Sequence, residues 1–401
     1  MSKVERWVDE TFARGADRLI PRDALVEKLA NSESSGKPLR VKLGIDPSAP
    51  HLTLGHSVPL RKMRQFQDLG HIGVLVVGDF TRRIGDPSGR ASTRALMSQA
   101  DIERNMATYT DQAFKILDPE RTEVRYNSEW LGKMSFADVI QLAAKYTVAR
   151  MLERDDFAKR YAEGISISVL EFLYPLAQAY DSVAVRADVE LGGADQLFNL
   201  LVGRDVQREY GQEAQVVLTV PLLLGIDGER AMSQTTGNYV GIGEPPATMY
   251  GKLLSIPDTL IEPYFVFLTD VPLSEVTGEI LQAPRDAKRR LARTIVGAYH
   301  GAAAADEAEA EFDRIHVHHE RPREVPQRPL DRSRLKGDGT IWIIDLLEAS
   351  ALVASRAEAK RVVQQGGVRV NDARVDSTEA DILFRPPLLL QVGKRSFVEM
   401  T

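Results

Sequence analysis

The sequence predicts an α/β fold in which a parallel-sheet domain comes first, a helical domain second and a small α+β domain last. Between about Leu39 and Pro221, short apolar runs alternate with amphipathic helical patterns, which is typical of a parallel sheet with right-handed crossover helices. After Asn238 the pattern becomes helical and polar. Prolines among charged residues then indicate a linker, since proline cannot continue a helix. These prolines are Pro322, Pro326 and Pro329.

The individual strands and helices are predicted from apolar periodicity. Strand candidates are residues 41–45, 72–77, 124–126, 183–185 and 216–220. Helix candidates are residues 55–69, 196–209, 250–254, 273–281, 285–300 and 302–312. The predicted domains are 1–225 (parallel sheet), 226–325 (helical), 326–338 (linker) and 339–401 (small α+β domain).

Composition narrows the class of protein. The chain has 401 residues, 43% of them hydrophobic, which is enough for two or three globular domains. Because there are zero cysteines, disulfides, thiolate metal sites and cysteine nucleophiles are excluded. The sequence supports neither a signal peptide nor a membrane span, so we expect a soluble cytoplasmic protein. A net charge of −6 argues against non-specific coating of nucleic acid, although a local basic face could still bind RNA.

The most informative segment is residues 43–56. It joins a strand end with Gly44 and Asp46, a turn containing two prolines, and a helix start at Gly55-His56. The N–H groups and the dipole at a helix start favour anions, and glycine lets a ligand approach the backbone closely. This segment therefore predicts a nucleotide crevice in which phosphates lie at the helix start.

Three further segments carry polar groups suited to a small ligand. Asp86 lies on a glycine-flanked loop, where a plain turn with a capping aspartate is the alternative. Tyr174, Gln178 and Asp181 share one helical face in an apolar segment, where buried polar groups need partners; an exposed polar stripe is the alternative. The run 192–196 places a glycine pair before another helix.

Together these segments resemble the class I aminoacyl-tRNA synthetases, and within them the bacterial tyrosyl-tRNA synthetases. The run Thr53-Leu54-Gly55-His56 is similar to the His-Ile-Gly-His signature of that class, with threonine in the first position. The resemblance implies a Rossmann-like catalytic domain and a two-step reaction: tyrosine is activated by ATP, and the tyrosyl group is then transferred to tRNA(Tyr).

The resemblance also implies roles for particular residues. Tyrosine's ammonium group would meet Asp86, Tyr174 and Gln178, and its phenolic hydroxyl would meet Asp181, which then discriminates against phenylalanine. Gln196 would lie against the substrate. The remaining contacts are to the nucleotide: phosphates at Thr53, His56, Arg90 and Arg94, ribose at Gly193 and Asp195, and further contacts at Gly44, Asp46 and Gly55. Some family members have a second hydroxyl contact, a tyrosine, where this chain has Lys42.

The second signature of the class, Lys-Met-Ser-Lys-Ser, is altered. The matching run has Ala231 and Gln234 in place of the two lysines. Met232 and Ser233 are retained, and the resemblance implies that they contact the nucleotide. Because phosphoryl transfer depends on positioning and electrostatic stabilisation, these losses are expected to slow it. Arg230, directly before the run, is a candidate replacement cation.

Two hypotheses stay open at this point. The first is a working tyrosine–tRNA ligase with altered phosphate chemistry. The second is a paralogue that binds tyrosine or a tyrosine-like ligand but activates it weakly or not at all, in a regulatory or biosynthetic role. A Rossmann dinucleotide enzyme is disfavoured because the first strand is not followed by Gly-x-Gly-x-x-Gly with a downstream acidic residue.

The C-terminal segment carries a helix signal with basic residues. Ser355 and Glu358 have the spacing of a capping box, and the helix that follows bears Arg356, Lys360 and Arg361. The unit resembles an S4-like RNA-binding domain, in which these three cations would contact RNA. The alternative is a small α/β domain with a solvated charged helix.

The cofactors and partners follow from the resemblance. ATP is expected as a substrate with Mg²⁺, and no tightly bound cofactor or protein metal site is predicted. The histidines that could suggest a metal cluster are more typical of solvated surface; they are His316, His318 and His319. The expected partners are tyrosine, tRNA(Tyr) and a second copy of the chain in a homodimer, with no membrane.

Overall fold

A computed structural model describes residues 2–46, 51–83, 99–318, 320–322, 325–393 and 396–401, with the side chains of Arg83 and Gln99 left out. The chain divides into two compact units, Met1–Tyr299 and His300–Thr401. No helix among these described ranges is both long and apolar enough to cross a membrane.

The first unit is built on a sheet whose described strands follow the order β1-β6-β5-β2-β3-β4. Their bounds are β1 Arg18–Ile20, β2 Arg40–Ile45, β3 Ile72–Val77, β4 Thr122–Tyr126, β5 Val189–Gly193 and β6 Val216–Val220. Neighbours from β6 to β4 are parallel, and β1 pairs antiparallel with β6 at the edge. The predicted parallel sheet is confirmed; the three-residue edge strand β1 was not predicted, because it is too short for a periodic signal.

Helices cover this sheet and extend beyond it. Their bounds are α1 Lys3–Trp7, α2 Arg22–Ser35, α3 Leu54–Asp68, α4 Gln99–Ala113, α5 Ser128–Leu131, α6 Phe136–Ala143, α7 Val148–Met151, α8 Asp155–Ala162, α9 Val169–Val185, α10 Leu197–Glu209, α11 Pro246–Leu254, α12 Ile261–Leu268, α13 Leu273–Gln282 and α14 Pro284–His300. The helices predicted for this unit are all present. In α3, the positions three residues apart at Leu60, Met63 and Phe66 are fully buried, as the helical period requires.

The strand predicted at residues 183–185 is wrong. These residues form the last turn of α9, which ends at Arg186 in the left-handed conformation (φ 51°, ψ 55°). Val183 and Val185 are buried in contacts with the rest of the unit, so tertiary packing outweighs their preference for strands. The strand begins four residues later as β5, whose last two residues are the glycine pair that precedes the next helix.

The order of the strands places a crevice beside β2. The chain runs from β2 to β3 and β4 on one side, and later from β5 to β6 on the other, so the strand order reverses between β2 and β5. Ligands of open α/β sheets bind at such a switch point, outside the carboxyl ends of the strands. The segment that follows β2 and the segment that follows β5 therefore meet at one site.

The second unit contains one longer helix followed by a small α+β arrangement. Its bounds are α15 Ala302–His316, β7 Gln327–Arg328, β8 Thr340–Trp342, α16 Ile343–Ser350, α17 Arg356–Gln364, β9 Val368–Val370, β10 Ala373–Val375, β11 Asp381–Leu383, β12 Leu388–Val392 and β13 Ser396–Met400. The described strands form sheets of order β10-β9-β12-β13-β7 and β11-β8.

The helix start predicted at Ser355 is confirmed, since its hydroxyl accepts a hydrogen bond from the Glu358 N–H at 3.2 Å. Within the predicted linker 326–338, β7 pairs with β13 and Leu330 is buried in the core of the C-terminal unit. The domain boundaries themselves stay predictions.

Candidate active site

The site is framed by two segments that are distant in sequence. The strand-like residues before α3 pair with residues 240–242: the Leu54 N–H donates to the Val240 carbonyl at 2.9 Å, and the Ile242 N–H donates to the Leu52 carbonyl at 2.8 Å. This backbone pairing joins the Thr-Leu-Gly-His run to the segment that follows the altered Ala-Met-Ser-Gln run. Both predicted signature segments therefore lie at the start of α3.

At the carboxyl end of β2, Gly44 is exposed and Asp46 forms an ion pair with Arg82, with Asp46 Oδ1 2.7 Å from Arg82 Nη1. Sequence reasoning missed Arg82, which places a guanidinium group at this edge just after β3. The two turn prolines lie outside the described residues. So do three of the predicted site residues, Asp86, Arg90 and Arg94.

His56 lies in the first turn of α3 and is an exposed residue. Its Nδ1 atom lies 3.2 Å from the Thr53 backbone nitrogen and 2.8 Å from Thr53 Oγ1. Thr53 is fully buried, so its side chain touches His56 rather than the open crevice. The protein packed around His56 lowers the pKa of the imidazole below its ordinary value.

Asp181 is held in place by two side chains that sequence reasoning missed. The Trp130 indole Nε1 donates to Asp181 Oδ1 at 2.7 Å, and the Asn127 amide donates to Oδ2 at 3.3 Å. Asn127 follows β4 and also donates to Thr81 Oγ1, which follows β3, at 3.0 Å. A carboxylate has about four acceptor positions, so it can take a further hydroxyl hydrogen bond. A polar residue directly after a predicted strand was the available signal for Asn127.

The electrostatic surroundings of Asp181 are unusual for a carboxyl. Burial raises its pKa to about 7, against the favourable charge of Lys42 and the hydrogen bonds from Trp130 and Asn127; Glu190 raises it further. Asp181 is 4% exposed. The carboxyl is thus poised to change charge near neutral pH.

Tyr174, Gln178 and Asp181 lie on α9, as predicted. Tyr174 and Gln178 are half-buried, so their setting is neither the exposed stripe nor a sealed core. Lys42 of β2 joins the helix to the sheet: its Nζ donates to the Gln178 carbonyl at 3.0 Å and to Ser182 Oγ at 2.8 Å. The backbone of the proposed ligand face is therefore anchored to the sheet.

Lys42 itself does not line the pocket. Its side chain is fully buried, and its Nζ lies 2.8 Å from Oε1 of Glu190, which is 1% exposed. The two residues face each other across β2 and β5. Ser182 Oγ donates to the other Glu190 oxygen at 3.1 Å, and the Gln215 amide donates to it as well. A lysine at this position thus forms part of the interior of the sheet.

The segment after β5 brings together the residues predicted to meet the nucleoside. The Gln196 amide donates to Asp195 Oδ2 at 3.2 Å, and Gln196 Oε1 accepts from the Asn199 amide at 3.0 Å. A Cβ on Gly193 would come 2.5 Å from Asp195 Oδ1, so a larger residue there would displace this carboxylate. Asp195 is exposed at the carboxyl end of the sheet.

The altered signature lies on a tight hairpin organised by Asn238, another residue that sequence reasoning missed. Asn238 Oδ1 accepts hydrogen bonds from the Ser233 N–H at 2.9 Å and from the Thr236 hydroxyl at 2.6 Å. Its amide donates to Asp227 Oδ2 at 2.9 Å and to the Arg230 carbonyl at 3.2 Å. One buried amide therefore sets the shape of the loop.

The polar side chains of this hairpin make protein contacts. Gln234 Nε2 donates to the His51 carbonyl at 2.5 Å, which ties the loop to the segment before α3. Arg230 Nη2 lies 3.3 Å from Asp227 Oδ2, and the arginine side chain is 63% exposed. Met232 is half-buried and close to Gly55, where an added Cβ would lie 3.7 Å from Met232 Cβ. Arg230 is thus paired on the outer side of the hairpin.

The C-terminal unit places two of its predicted RNA contacts on one aromatic ring. Arg356 and Lys360 lie over Trp342, with 5.7 and 5.8 Å between the cation and the ring centroid. Arg361 pairs with Glu358 at 3.3 Å. Among the residues that the structure describes, which include His316 and His318 but not His319, no group of three His, Cys, Asp or Glu side chains could hold a metal ion.

The chain matches known protein families over most of its length. Residues 34–317 match the tRNA synthetases class I (W and Y), and residues 341–380 match the S4 domain. A tyrosine–tRNA ligase of Moorella thermoacetica is 50% identical over 394 residues, which cover 96% of this chain and 94% of that protein. A tyrosine–tRNA ligase of Thermotoga maritima is 51% identical over 389 residues, with the same coverage of 96% and 94%.

A solved structure shares the fold. A C-terminally truncated mitochondrial tyrosyl-tRNA synthetase of Coccidioides posadasii superposes with a TM-score of 0.62 at 26% identity and covers 76% of this chain and 91% of its own. Tyrosyl-tRNA synthetase of Archaeoglobus fulgidus, solved with L-tyrosine, has a TM-score of 0.57 at 19% identity and supports the fold alone.

Replacing Asp181 with Asn is expected to change how stability depends on pH. The folded carboxyl has a pKa of about 7, above the ordinary 3.8, so between these values the folded state binds more protons than the unfolded state. The free energy of unfolding therefore falls as pH rises from about 4 to 7, by at most about 1.4 kcal/mol per pH unit from this group. Asp181→Asn should lose this component.

Urea unfolding at several pH values measures this pH-dependent part of the free energy of unfolding. Trp342→Phe is present in every variant, so that the fluorescence of Trp7 and Trp130 reports on the first unit. Asp23→Asn, at a side chain that is 97% exposed, is the matched control. Parallel pH curves for the parent and Asp181→Asn would contradict the assignment.

Proposed function

The chain belongs to the class I tRNA synthetases of the tryptophan and tyrosine group, and we propose that it is a tyrosine–tRNA ligase. The observation that carries this proposal is identity of about 50% to tyrosine–tRNA ligases over nearly the whole chain, including the C-terminal S4 domain. This similarity favours the ligase over a tyrosine-binding paralogue. The altered signature residues bear on the rate of the reaction rather than on the family.

The reaction has two steps. In the first, a carboxylate oxygen of tyrosine attacks the α-phosphorus of ATP, the bond to the bridging oxygen of the β-phosphate breaks, and pyrophosphate leaves. In the second, a ribose hydroxyl at the 3′ end of tRNA attacks the carbonyl carbon of tyrosyl-adenylate, loses its proton, and AMP leaves. No side chain serves as a nucleophile, so the protein acts by positioning and by electrostatic stabilisation.

The tyrosine end of the site is assigned to α9 and the strands around it. Asp181 accepts the phenolic hydroxyl in a position already fixed by Trp130 and Asn127. Because phenylalanine would leave this buried carboxyl without its partner, a site of this type discriminates strongly against it. Tyr174 and Gln178 hold the ammonium group, together with Asp86, which rests on the resemblance alone.

The nucleotide end is assigned to the segments after β2 and β5. The ribose contacts are assigned to Gly193 and Asp195, with Gln196 beside the substrate, and the phosphates to the start of α3 at Gly55 and His56. Gly44, Asp46, Met232 and Ser233 complete the predicted contacts. Arg90 and Arg94 keep the phosphate roles implied by the resemblance, and Arg82 adds positive charge near Asp46.

Mg²⁺ is proposed to arrive with ATP. It keeps several waters and is usually bound through substrate phosphates with one or two carboxylates. The described residues hold no three-ligand cluster for it, so no side chain is assigned as its ligand.

The RNA contacts are assigned to the S4 domain. Arg356, Lys360 and Arg361 lie on α17, and the first two share the face of Trp342. A cation stacked on an aromatic ring is a surface suited to a phosphate backbone and its bases. We assign tRNA(Tyr) as the RNA, and the cytoplasm as the place where it is charged.

A homodimer is proposed on the basis of exposed apolar side chains between residues 136 and 170. Large hydrophobic residues that a monomer would leave in water concentrate in this part of the described chain. They are Phe136 (80% exposed), Ile140, Val148, Tyr161 (70%), Ile165, Val169 (76%) and Leu170. A second copy of the chain is the occupant, since an isologous interface uses one patch on both subunits.

Tyrosine-dependent exchange of pyrophosphate into ATP tests the ligase assignment. The unmodified chain is expected to catalyse exchange, because its sequence retains the residues assigned to tyrosine and most of those assigned to the nucleotide. Ala231→Lys with Gln234→Lys should raise the rate at least about tenfold, since one preorganised donor to a developing charge is worth about 10² to 10³ in rate. Asp23→Asn, at a side chain that is 97% exposed, is the control and should change little. Calorimetric tyrosine binding without exchange would instead establish the paralogue.

Phe136→Glu with Val169→Glu is expected to convert the dimer to a monomer, because two buried charges without partners are costly at an apolar interface. Light scattering coupled to size exclusion measures the mass. Leu281→Glu, which changes a residue that is 78% exposed but lies outside this segment, is the matched control and should leave the dimer intact. A monomeric unmodified chain, or a dimer that survives the double change, would contradict the proposed interface.

A further inference from the structure

We propose that Thr53 is a positioning residue that fixes His56 in the tautomer with its proton on Nε2, so that Nε2 donates a hydrogen bond to a phosphate oxygen of ATP. The phosphate contact rests on the proposed function. The tautomer of His56 is independent of the proposed function, because it follows from contacts within the protein. Thr53 would then act through His56 instead of touching the nucleotide.

Thr53 is buried at the start of α3. It precedes α3 as the N-cap residue, with extended backbone (φ −101°, ψ 168°), and it is 0% exposed. A side chain closed off from solvent in this way does not reach a ligand in the crevice. Its hydroxyl can still act through the imidazole beside it.

The direction of the hydrogen bonds at His56 Nδ1 determines which ring nitrogen carries the proton. The Thr53 backbone nitrogen lies 3.2 Å from His56 Nδ1, and an amide N–H can only donate. Nδ1 must therefore present its lone pair. Thr53 Oγ1, 2.8 Å from the same atom, then donates as well, and the single ring proton of a neutral imidazole sits on Nε2.

The imidazole of His56 is uncharged at neutral pH. Protein packed around His56 lowers its pKa, so at neutral pH the imidazole is neutral. A neutral ring protonated at Nε2 still has one strong donor. His56 is an exposed residue and its Nδ1 is turned to Thr53, so Nε2 is the ring nitrogen left for a ligand.

Thr53 is itself held in place by the backbone on either side of it. Its neighbours Leu52 and Leu54 are hydrogen-bonded to the segment 240–242, and both are buried. The hydroxyl is held before any ligand arrives, which is the condition for effective preorganisation.

The test compares two substitutions of Thr53. Thr53→Val keeps the shape and β-branching but removes the hydroxyl, whereas Thr53→Ser keeps the hydroxyl. One neutral hydrogen bond contributes about 0.5 to 1.5 kcal/mol, which corresponds to a rate change of about two- to tenfold. We expect Thr53→Val to lower the rate of adenylate formation by that factor with the tyrosine Kd unchanged, and Thr53→Ser to stay within about twofold of the parent.

A spectroscopic measurement reads the tautomer without activity. The protein labelled with ¹⁵N-histidine gives long-range ring correlations that distinguish a protonated from an unprotonated ring nitrogen. The His56 signals are identified among the seven histidines by their loss in His56→Gln. We expect Nδ1 unprotonated and Nε2 protonated in the parent and in Thr53→Ser. In Thr53→Val the closer donor to Nδ1 is lost and only the backbone N–H at 3.2 Å remains, so we expect a measurable fraction of the Nδ1-protonated tautomer beside the other.

The outcomes separate this inference from the proposed function. An Nε2-protonated ring that becomes mixed in Thr53→Val supports the positioning role, even if the chain were to show no exchange activity at all. A ring protonated at Nδ1 in the parent, or the same tautomer in Thr53→Val as in the parent, overturns it. A loss of rate in Thr53→Ser equal to that in Thr53→Val would also overturn it, because both the hydroxyl and the tautomer would then be irrelevant to the loss.

Discussion

The buried ion pair between Lys42 and Glu190 is the interaction on which the rest of the site depends. The two residues are direct partners across β2 and β5, strands that are far apart in sequence, and they are 0% and 1% exposed. A buried charge without its partner is strongly destabilising, so this pair fixes which residues of the two strands face each other. The register at the switch point is set by charge as well as by apolar packing.

Each part of the site is carried by an element tied to this pair. The strand β2 leads through Asp46 to the start of α3 and His56, while β5 leads into Gly193 and Asp195. Lys42 also holds the last turns of α9 through the Gln178 carbonyl and Ser182, next to Asp181. The tyrosine end, the ribose end and the phosphate end are thus anchored to one point in the sheet, and the charge of Lys42 favours the ionised form of Asp181.

Sequence patterns predicted the sheet and helices well where the period was clear, as in β2, β3, β6 and α3. They failed at residues 183–185, where two valines with strand preference end a helix because their burial is decided by contacts from elsewhere in the chain. The roles of Trp130, Asn127 and Asn238 follow from side-chain contacts between separate elements, which local patterns do not contain. Lys42 was noted only as a missing tyrosine, since its partner Glu190 is adjacent only after folding.

A double-mutant cycle on Lys42→Met and Glu190→Met tests most directly whether this pair organises the site. Urea unfolding in the Trp342→Phe background gives the stability of the first unit, and calorimetry gives tyrosine affinity. We expect each single change to cost about 3 to 5 kcal/mol and to weaken tyrosine binding, and the double change to cost much less than the sum. Single effects that add within about 0.5 kcal/mol, or tyrosine binding unchanged in both single variants, would contradict it.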